Sequence, residues 1–162
     1  MSSKDKVSIA RRIGEHLSIR EYRSSDFDSL VARVQQYYLE DLEVEFKREQ
    51  LITTINEFDN NPLRGRIEIV EREGESIGYA ILVPYWSNEF GGVMLQLDEL
   101  FIDASERGRG AGSLYIRDLI SNPPYSAVAI MLEVTQKNER ARSLYEKIGF
   151  ATHRHTHMLY EL

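Results

Sequence analysis

Arginines and glycines alternate in a short stretch that follows an apolar run ending at Asp103. Glycines let backbone N–H groups approach a ligand closely, and arginine side chains can fork onto phosphate oxygens. The periodic segment Leu114 to Ile120 predicts a helix, whose N-terminus favours an anion. The stretch therefore predicts a cradle for a pyrophosphate. Its candidate residues are Arg107, Gly108, Arg109, Gly110, Ala111, Gly112 and Ser113.

Two common phosphate motifs fit this stretch poorly. A P-loop requires a lysine after its last glycine, and no lysine follows any glycine here. A Rossmann fingerprint would need a third glycine where Ser113 stands, although Glu133, about twenty residues further on, could be the ribose-binding acid. The motif lies in the last third of the chain, so too little sequence follows to complete a doubly wound dinucleotide fold.

Arg107 to Gly112 form an Arg-x-x-Gly-x-Gly pattern, and a second block runs from Asn138 through Leu-Tyr-Glu-Lys-Ile-Gly to Phe150. Together the two blocks resemble the acetyl-CoA signature of the GNAT superfamily of N-acetyltransferases. The resemblance implies acetyl-CoA as co-substrate and a splayed strand pair that admits its pantetheine arm. Further cofactor-binding residues implied by it are Leu100, Phe101 and Ile102 through their main chain, with Asn138 and Tyr145.

Direct acetyl transfer to an amine needs a base and an acid. Freeing the lone pair of an alkyl ammonium at neutral pH costs about 4 kcal/mol. By the resemblance, Glu99 is the base and Tyr145 protonates the departing thiolate. Glu89, Asp98 and Glu40 compete for the base role, and Glu99 could instead be a strand carboxylate in a surface ion pair. Tyr145 also fits the apolar stripe of its predicted helix, which is the structural alternative.

The acceptor is predicted to be a small cationic amine such as a polyamine. Candidate acceptor-binding residues lie in an acidic connection between two helices and in a strand-connecting loop: Tyr38, Glu40, Asp41, Trp86 and Glu89. Carboxylates attract an amine and aromatic rings stack on a cation, but a solvated acidic loop and an ordinary core-covering loop are the alternatives. Peptide or protein amines and aminoglycosides are the next acceptor classes. A non-catalytic acetyl-CoA sensor and a nucleotide-binding regulator also stay open.

The order of predicted elements matches an α/β fold of the GNAT type, with a mixed central sheet in which an antiparallel meander precedes a parallel strand flanked by helices. Predicted strands cover residues 17–22, 66–71, 77–85, 93–102, 128–134 and 150–162. Predicted helices begin near residues 24, 45, 111 and 138, and the last of them is expected to be capped by Asn138 and ended by Gly149. The strand at 128–134 is expected to be buried on both faces and parallel to its neighbour, because a helix intervenes.

Composition bounds the remaining expectations. A chain of 162 residues that is 42% hydrophobic predicts one domain over residues 1–162, with a flexible or marginally helical lead-in over residues 1–15. Zero cysteines exclude a disulfide framework, and a net charge of −6 disfavours a nucleic-acid surface. The lack of long apolar runs predicts a cytoplasmic protein without a membrane partner. His153, His155 and His157 could form a metal site on one strand face, but no metal is expected, and a homodimer through the last strand stays open.

Overall fold

The computed structural model describes residues 10–42, 44–153 and 158–161. Its six strands form one sheet in sequential order, antiparallel from β1 to β5 and parallel between β5 and β6. The strands are β1 (Arg11–Arg12), β2 (Leu17–Glu21), β3 (Arg66–Arg72), β4 (Glu75–Ser87), β5 (Gly92–Ile102) and β6 (Ala129–Leu132). The predicted antiparallel meander followed by a parallel strand is confirmed.

In the part of the chain that the structure describes, four α-helices flank this sheet. They are α1 (Phe27–Tyr37), α2 (Arg48–Asn60), α3 (Ala111–Ser121) and α4 (Glu139–Ile148). A single π-helical turn, Tyr38–Leu42, extends α1 toward α2. Asn138 caps α4 by accepting a hydrogen bond from the Ala141 N–H at 3.0 Å, and Gly149 ends it with a φ of +118°. Both residues were predicted to mark these ends, because an Asn side chain satisfies a free N–H and glycine tolerates the left-handed conformation.

The two faces of the sheet carry separate hydrophobic cores. On one face, Leu30 and Val34 of α1 and Leu51 of α2 pack against strand residues such as Ile69; we call this the α1–α2 core. On the other face, the buried stripe of α3 packs against β4 and β5; we call this the α3 core. Apolar helix positions three and four residues apart supply each stripe. The sheet therefore separates two different environments.

The structure differs from the sequence predictions at both ends of the chain. Within the predicted flexible lead-in, Arg11–Arg12 form β1, and the Arg11 Nη2 atom lies 2.6 Å from Asp118 Oδ2 on α3. The predicted last strand, 150–162, is absent at residues 150–153 and 158–161, while residues 154–157, including His155 and His157, lie outside the described part.

The predicted strand at residues 128–134 is also different in the structure. It is shorter and half-buried rather than buried on both faces. Among the described residues it is one of the two edge strands of the sheet, so one of its edges has no neighbour. No helix in the described ranges is long and apolar enough to cross a membrane.

Candidate active site

A β-bulge in β5 decides which way Glu99 points. Leu82 pairs with Leu97 and Ile81 pairs with Glu99, so Asp98 is an extra residue between two ladder positions. A bulge shifts the alternation of side chains along a strand. Leu97 accordingly packs into the α3 core, whereas the residues after the bulge that face the α1–α2 core are Glu99 and Phe101.

Glu99 is a buried carboxylate with a defined hydrogen-bond partner. Glu99 is only 8% exposed, and its Oε2 atom accepts a hydrogen bond from the Tyr79 hydroxyl at 2.7 Å. Burial raises the pKa of Glu99 to about 7, the neighbouring Asp98 charge acts in the same direction, and hydrogen bonds from Tyr79 and Tyr38 oppose it. A carboxylate with a pKa near neutrality is suited to accept a proton at physiological pH.

The two strands that flank the predicted cofactor slot separate where β6 ends. Their last paired residues are Leu97 and Leu132, and β5 continues through residues 98–102 without a β6 partner. This leaves one backbone edge of β5 open among the described residues. A cavity of about 540 Å³ lies beside this edge, and we call it the α4 cavity. Its lining includes the predicted Leu100, Phe101, Ile102, Arg107, Gly108, Gly110, Ala111, Gly112, Ser113, Asn138 and Tyr145.

The glycine loop has the geometry of an anion cradle. Gly108 and Gly110 have φ values of +79° and +84°, and a Cβ atom at either position would meet open space. The loop is therefore held by backbone conformation rather than by packing, and it leads directly into α3.

The Arg33 guanidinium on α1 fixes the end of β5 by donating to both carboxylate oxygens of Asp103 at 2.8 Å. This contact could not be predicted from the sequence, because 70 residues separate the partners.

The two loop arginines differ in their surroundings. Arg107 lines the α4 cavity, donates from Nε to the Ile102 carbonyl at 2.8 Å, and lies over the Phe101 ring. Arg109 pairs with Glu106 at 2.6 Å and is not among the residues that line the cavity. The structure therefore favours Arg107 as the anion contact of this pair.

Two further basic residues of the same cavity were not recognised in the sequence. Lys137, just before the α4 cap, and Arg140, in the first turn of α4, line the α4 cavity together with the glycine loop. Three basic residues, two left-handed glycines and an open strand edge thus surround one space. This donor set fits a ligand that carries phosphates on an extended arm with backbone-pairing groups.

Tyr145 lies on α4 and contributes to the same cavity wall. Burial raises the pKa of its phenol to about 12, and the charge of Asp41 adds to this. Its ring packs on Phe150, with the ring centroids 5.9 Å apart. The phenol is thus held neutral beside the open edge of β5, where it can act as a hydrogen-bond donor.

The structure places the predicted acceptor residues in different parts of the molecule. Glu40 and Asp41 line the α4 cavity: Glu40 accepts from Arg107 Nη2 at 2.7 Å, and Asp41 accepts from Asn138 Nδ2 at 2.8 Å. Trp86 is 69% exposed on the last part of β4, and the exposed Glu89 follows it in the β4–β5 turn.

Tyr38 lines a different cavity, which we call the α2 cleft. It has a volume of about 340 Å³ and lies between α2 and the strands β4 and β5. Asp98 and Glu99 also line it, whereas Trp86 and Glu89 line neither this cleft nor the α4 cavity. Several other residues of the cleft were not singled out as site residues in the sequence, among them Phe46, Glu57 and Phe58, which come from α2 or the segment before it.

A family model described as the acetyltransferase (GNAT) family matches residues 31–150, which is most of the chain and includes both cavities. The chain belongs to the GNAT family. The model describes a family of acetyltransferases, and the family's co-substrate is acetyl-CoA. The residues of the α4 cavity fit that co-substrate, since they combine phosphate-binding groups with an unpaired strand edge.

Two kinds of relatives agree with this assignment. The spermine/spermidine N(1)-acetyltransferase of Bacillus subtilis (strain 168) is 30% identical over 82 residues, which are 48% of this chain. The match covers 54% of that protein, so the chain spans about half the length of the curated relatives it matches.

Solved structures with lower identity show the same fold. A possible acetyltransferase from Clostridium difficile 630 superposes with a TM-score of 0.76 at 20% identity, covering 91% of this chain and 99% of the other. The ribosomal-protein-alanine N-acetyltransferase of Brucella melitensis biovar Abortus 2308 has a TM-score of 0.69 at 16% identity, covering 91% of this chain and all of the other, 100%.

Proposed function

We propose that this GNAT enzyme transfers the acetyl group of acetyl-CoA to a primary amine of a small cationic molecule, with a polyamine as the foremost candidate. One observation carries the proposal: at two places in the chain, consecutive residues line different cavities, so the two cavities are neighbours there. Glu99 and Tyr38 line the α2 cleft, and their neighbours Leu100 and Tyr37 line the α4 cavity. An amine in the cleft and a thioester in the cavity would therefore meet at the bulged part of β5, which suits direct attack in a ternary complex.

Glu99 is the proposed base. Moving a proton from an alkyl ammonium of pKa about 10.4 to an ordinary carboxylate is uphill by about 8 kcal/mol. With a carboxylate whose pKa is about 7, the same transfer is uphill by about 5 kcal/mol. Burial of Glu99 thus lowers the cost of deprotonating the amine while leaving the carboxylate largely ionised above neutral pH.

Tyr145 is the proposed donor to the leaving group. Acetyl-CoA, when bound, supplies an acetyl thioester, whose departing sulfur develops negative charge. Full proton transfer from a phenol of pKa about 12 to a thiolate whose acid is near 8.5 is uphill by about 5 kcal/mol. Tyr145 therefore stabilises the departing sulfur by donating a hydrogen bond to it rather than by transferring its proton completely.

The acceptor class is supported by charge and by the relatives. The ionisable side chains that line the α2 cleft are Glu57, Asp98, Glu99 and the phenol of Tyr38, and the cleft also contains the rings of Phe46 and Phe58. Carboxylates next to aromatic faces suit an ammonium on an alkyl chain. The Bacillus subtilis relative named for spermine and spermidine supports the same class.

Thiol release from acetyl-CoA tests the proposal. Polyamines, lysine-containing peptides and aminoglycosides are assayed side by side with the wild type, Tyr145→Phe and the control Tyr160→Phe, whose ring is 86% exposed. We expect release with polyamines, a loss of at least about tenfold in turnover for Tyr145→Phe, and no loss for the control. Calorimetry should show nearly unchanged acetyl-CoA affinity in both variants.

Two results would contradict parts of the proposal. Unchanged turnover of Tyr145→Phe would remove that residue from the chemistry. Tight acetyl-CoA binding without thiol release on any amine would assign the chain to the binding modules of the family.

A further inference from the structure

One face of α2 turns polar residues toward the α2 cleft. Gln50, Thr53, Thr54 and Glu57 have the spacing i, i+3, i+4 and i+7, and all four line the cleft. Such a stripe on a helix is about 10 Å long. Sequence periodicity alone draws attention to the apolar stripe of this helix, so the polar one had no assigned role.

The charges that line the cleft have one sign. Asp98 and Glu99 lie on its sheet wall and Glu57 on its helix wall, and in the described part of the chain no lysine or arginine belongs to the lining. The Glu57 side chain is 39% exposed, and its Oε1 accepts from Asn61 Nδ2 at 3.0 Å and from Arg64 Nη1 at 3.1 Å. These two contacts orient the Oε1 atom of Glu57, and neither Asn61 nor Arg64 belongs to the lining of the cleft.

Aromatic side chains also line the α2 cleft. Tyr38 packs edge-on against Phe46, with the ring centroids 5.6 Å apart, and Phe58 also belongs to the lining. An alkyl chain can lie along these rings, while a charged group at each of its ends meets a carboxylate. A monoamine would use only one of the two acidic walls.

We propose that Glu57 binds the second ammonium group of the acceptor and so makes the enzyme select diamines over monoamines of equal length. This inference rests on the proposed function, because it assumes that the reacting amine is delivered to Glu99. Glu57 is a specificity-determining residue in this scheme, and it takes no part in the proton transfer.

Matched substrates and matched variants test the role of Glu57. The ratio of kcat/KM for 1,4-diaminobutane to that for butylamine is measured in the wild type, Glu57→Gln, Glu57→Lys and Asp59→Asn. Asp59→Asn removes the same charge from the same end of α2, but Asp59 is exposed and does not line the cleft. We expect Glu57→Gln to lower the ratio about tenfold, since a hydrogen-bonded charge pair is lost. Glu57→Lys should lower it further, and Asp59→Asn should leave it unchanged.

Direct binding separates this inference from the proposed function. Calorimetric titration of spermidine into each variant does not require turnover, and the melting temperature of each variant confirms that it is folded. Weaker spermidine binding in Glu57→Gln, with wild-type binding in Asp59→Asn, supports the site even if no amine is acetylated. An unchanged substrate ratio in Glu57→Gln, or equal losses for diamine and monoamine, would overturn the role of Glu57 and leave amine acetylation standing.

Discussion

Replacing Glu99 by glutamine should make the protein more stable at high pH while it abolishes most activity. In the folded chain, burial raises the pKa of Glu99 from the ordinary 4.5 to about 7. The folded state therefore holds the proton more tightly than the unfolded state does. The stability associated with this proton is fully present below about pH 4.5 and is lost as the pH rises through about 7. Glutamine never ionises, so the variant avoids that loss.

The size of the effect follows from the two pKa values. At 1.36 kcal/mol for each pH unit between 4.5 and about 7, ionising the buried carboxyl costs about 3 kcal/mol of unfolding free energy. For a chain of this length such a change corresponds to a rise in Tm of about 6–12 °C. The Tyr79 hydroxyl can still donate to the glutamine oxygen, so the hydrogen bond seen at 2.7 Å is compatible with the variant.

Urea unfolding between pH 5 and pH 8.5 measures this prediction. The difference in unfolding free energy between Glu99→Gln and the wild type should be small at pH 5 and grow to about 3 kcal/mol above pH 7.5. Glu89→Gln is the control, because Glu89 is exposed on the β4–β5 turn. The growth of the difference with pH is the diagnostic quantity, since it is independent of any constant packing effect of the amide. A difference that stays flat across this range would refute the assignment of Glu99 as a carboxyl with a raised pKa.

Two other predictions concern the reaction and its co-substrate. With saturating substrates, kcat should fall about tenfold for each pH unit below about 7, because Glu99 must be ionised to accept a proton; a profile that is flat down to pH 5.5 would contradict this. Arg107→Gln should weaken acetyl-CoA binding about tenfold in calorimetry, whereas Arg109→Gln should change it much less, because Arg109 pairs with Glu106 and does not itself line the cavity. Equal losses in both variants would mean that general loop charge, rather than the cavity contact, sets the affinity.

The glycine loop and the fourth helix could be assigned from sequence because their signals are local. Left-handed conformations at Gly108 and Gly110, the Asn138 cap and the Gly149 stop all depend on a few neighbouring residues. A local signal survives without knowledge of the rest of the fold. The order of strands and helices was readable for the same reason, since hydrophobic periodicity is a property of short windows.

The acceptor side was less readable because its parts come from distant segments. Glu40 and Asp41 looked like acceptor ligands in an acidic loop, but the π-helical turn places them against Arg107 and Asn138, which are 67 and 97 residues away. Glu57 was not singled out in the sequence, yet it lines the α2 cleft. Long-range contacts decide both placements: the partners of the π-helical turn for Glu40 and Asp41, and the position of α2 beside the sheet for Glu57. No short window of sequence contains that information.

Glu99 shows most clearly which features the sequence determines and which depend on the tertiary structure. The sequence by itself determined that a carboxylate, Glu99, lies on an apolar strand just before the glycine loop. Only the tertiary structure decided which face that carboxylate occupies, because the bulge at Asp98 exists solely through the pairing of β5 with β4. Without the extra residue, the alternation of side chains would place Glu99 on the same face as Leu97, in the α3 core. The bulge turns it instead toward Tyr79 and the α2 cleft, where burial raises its pKa toward that of a base.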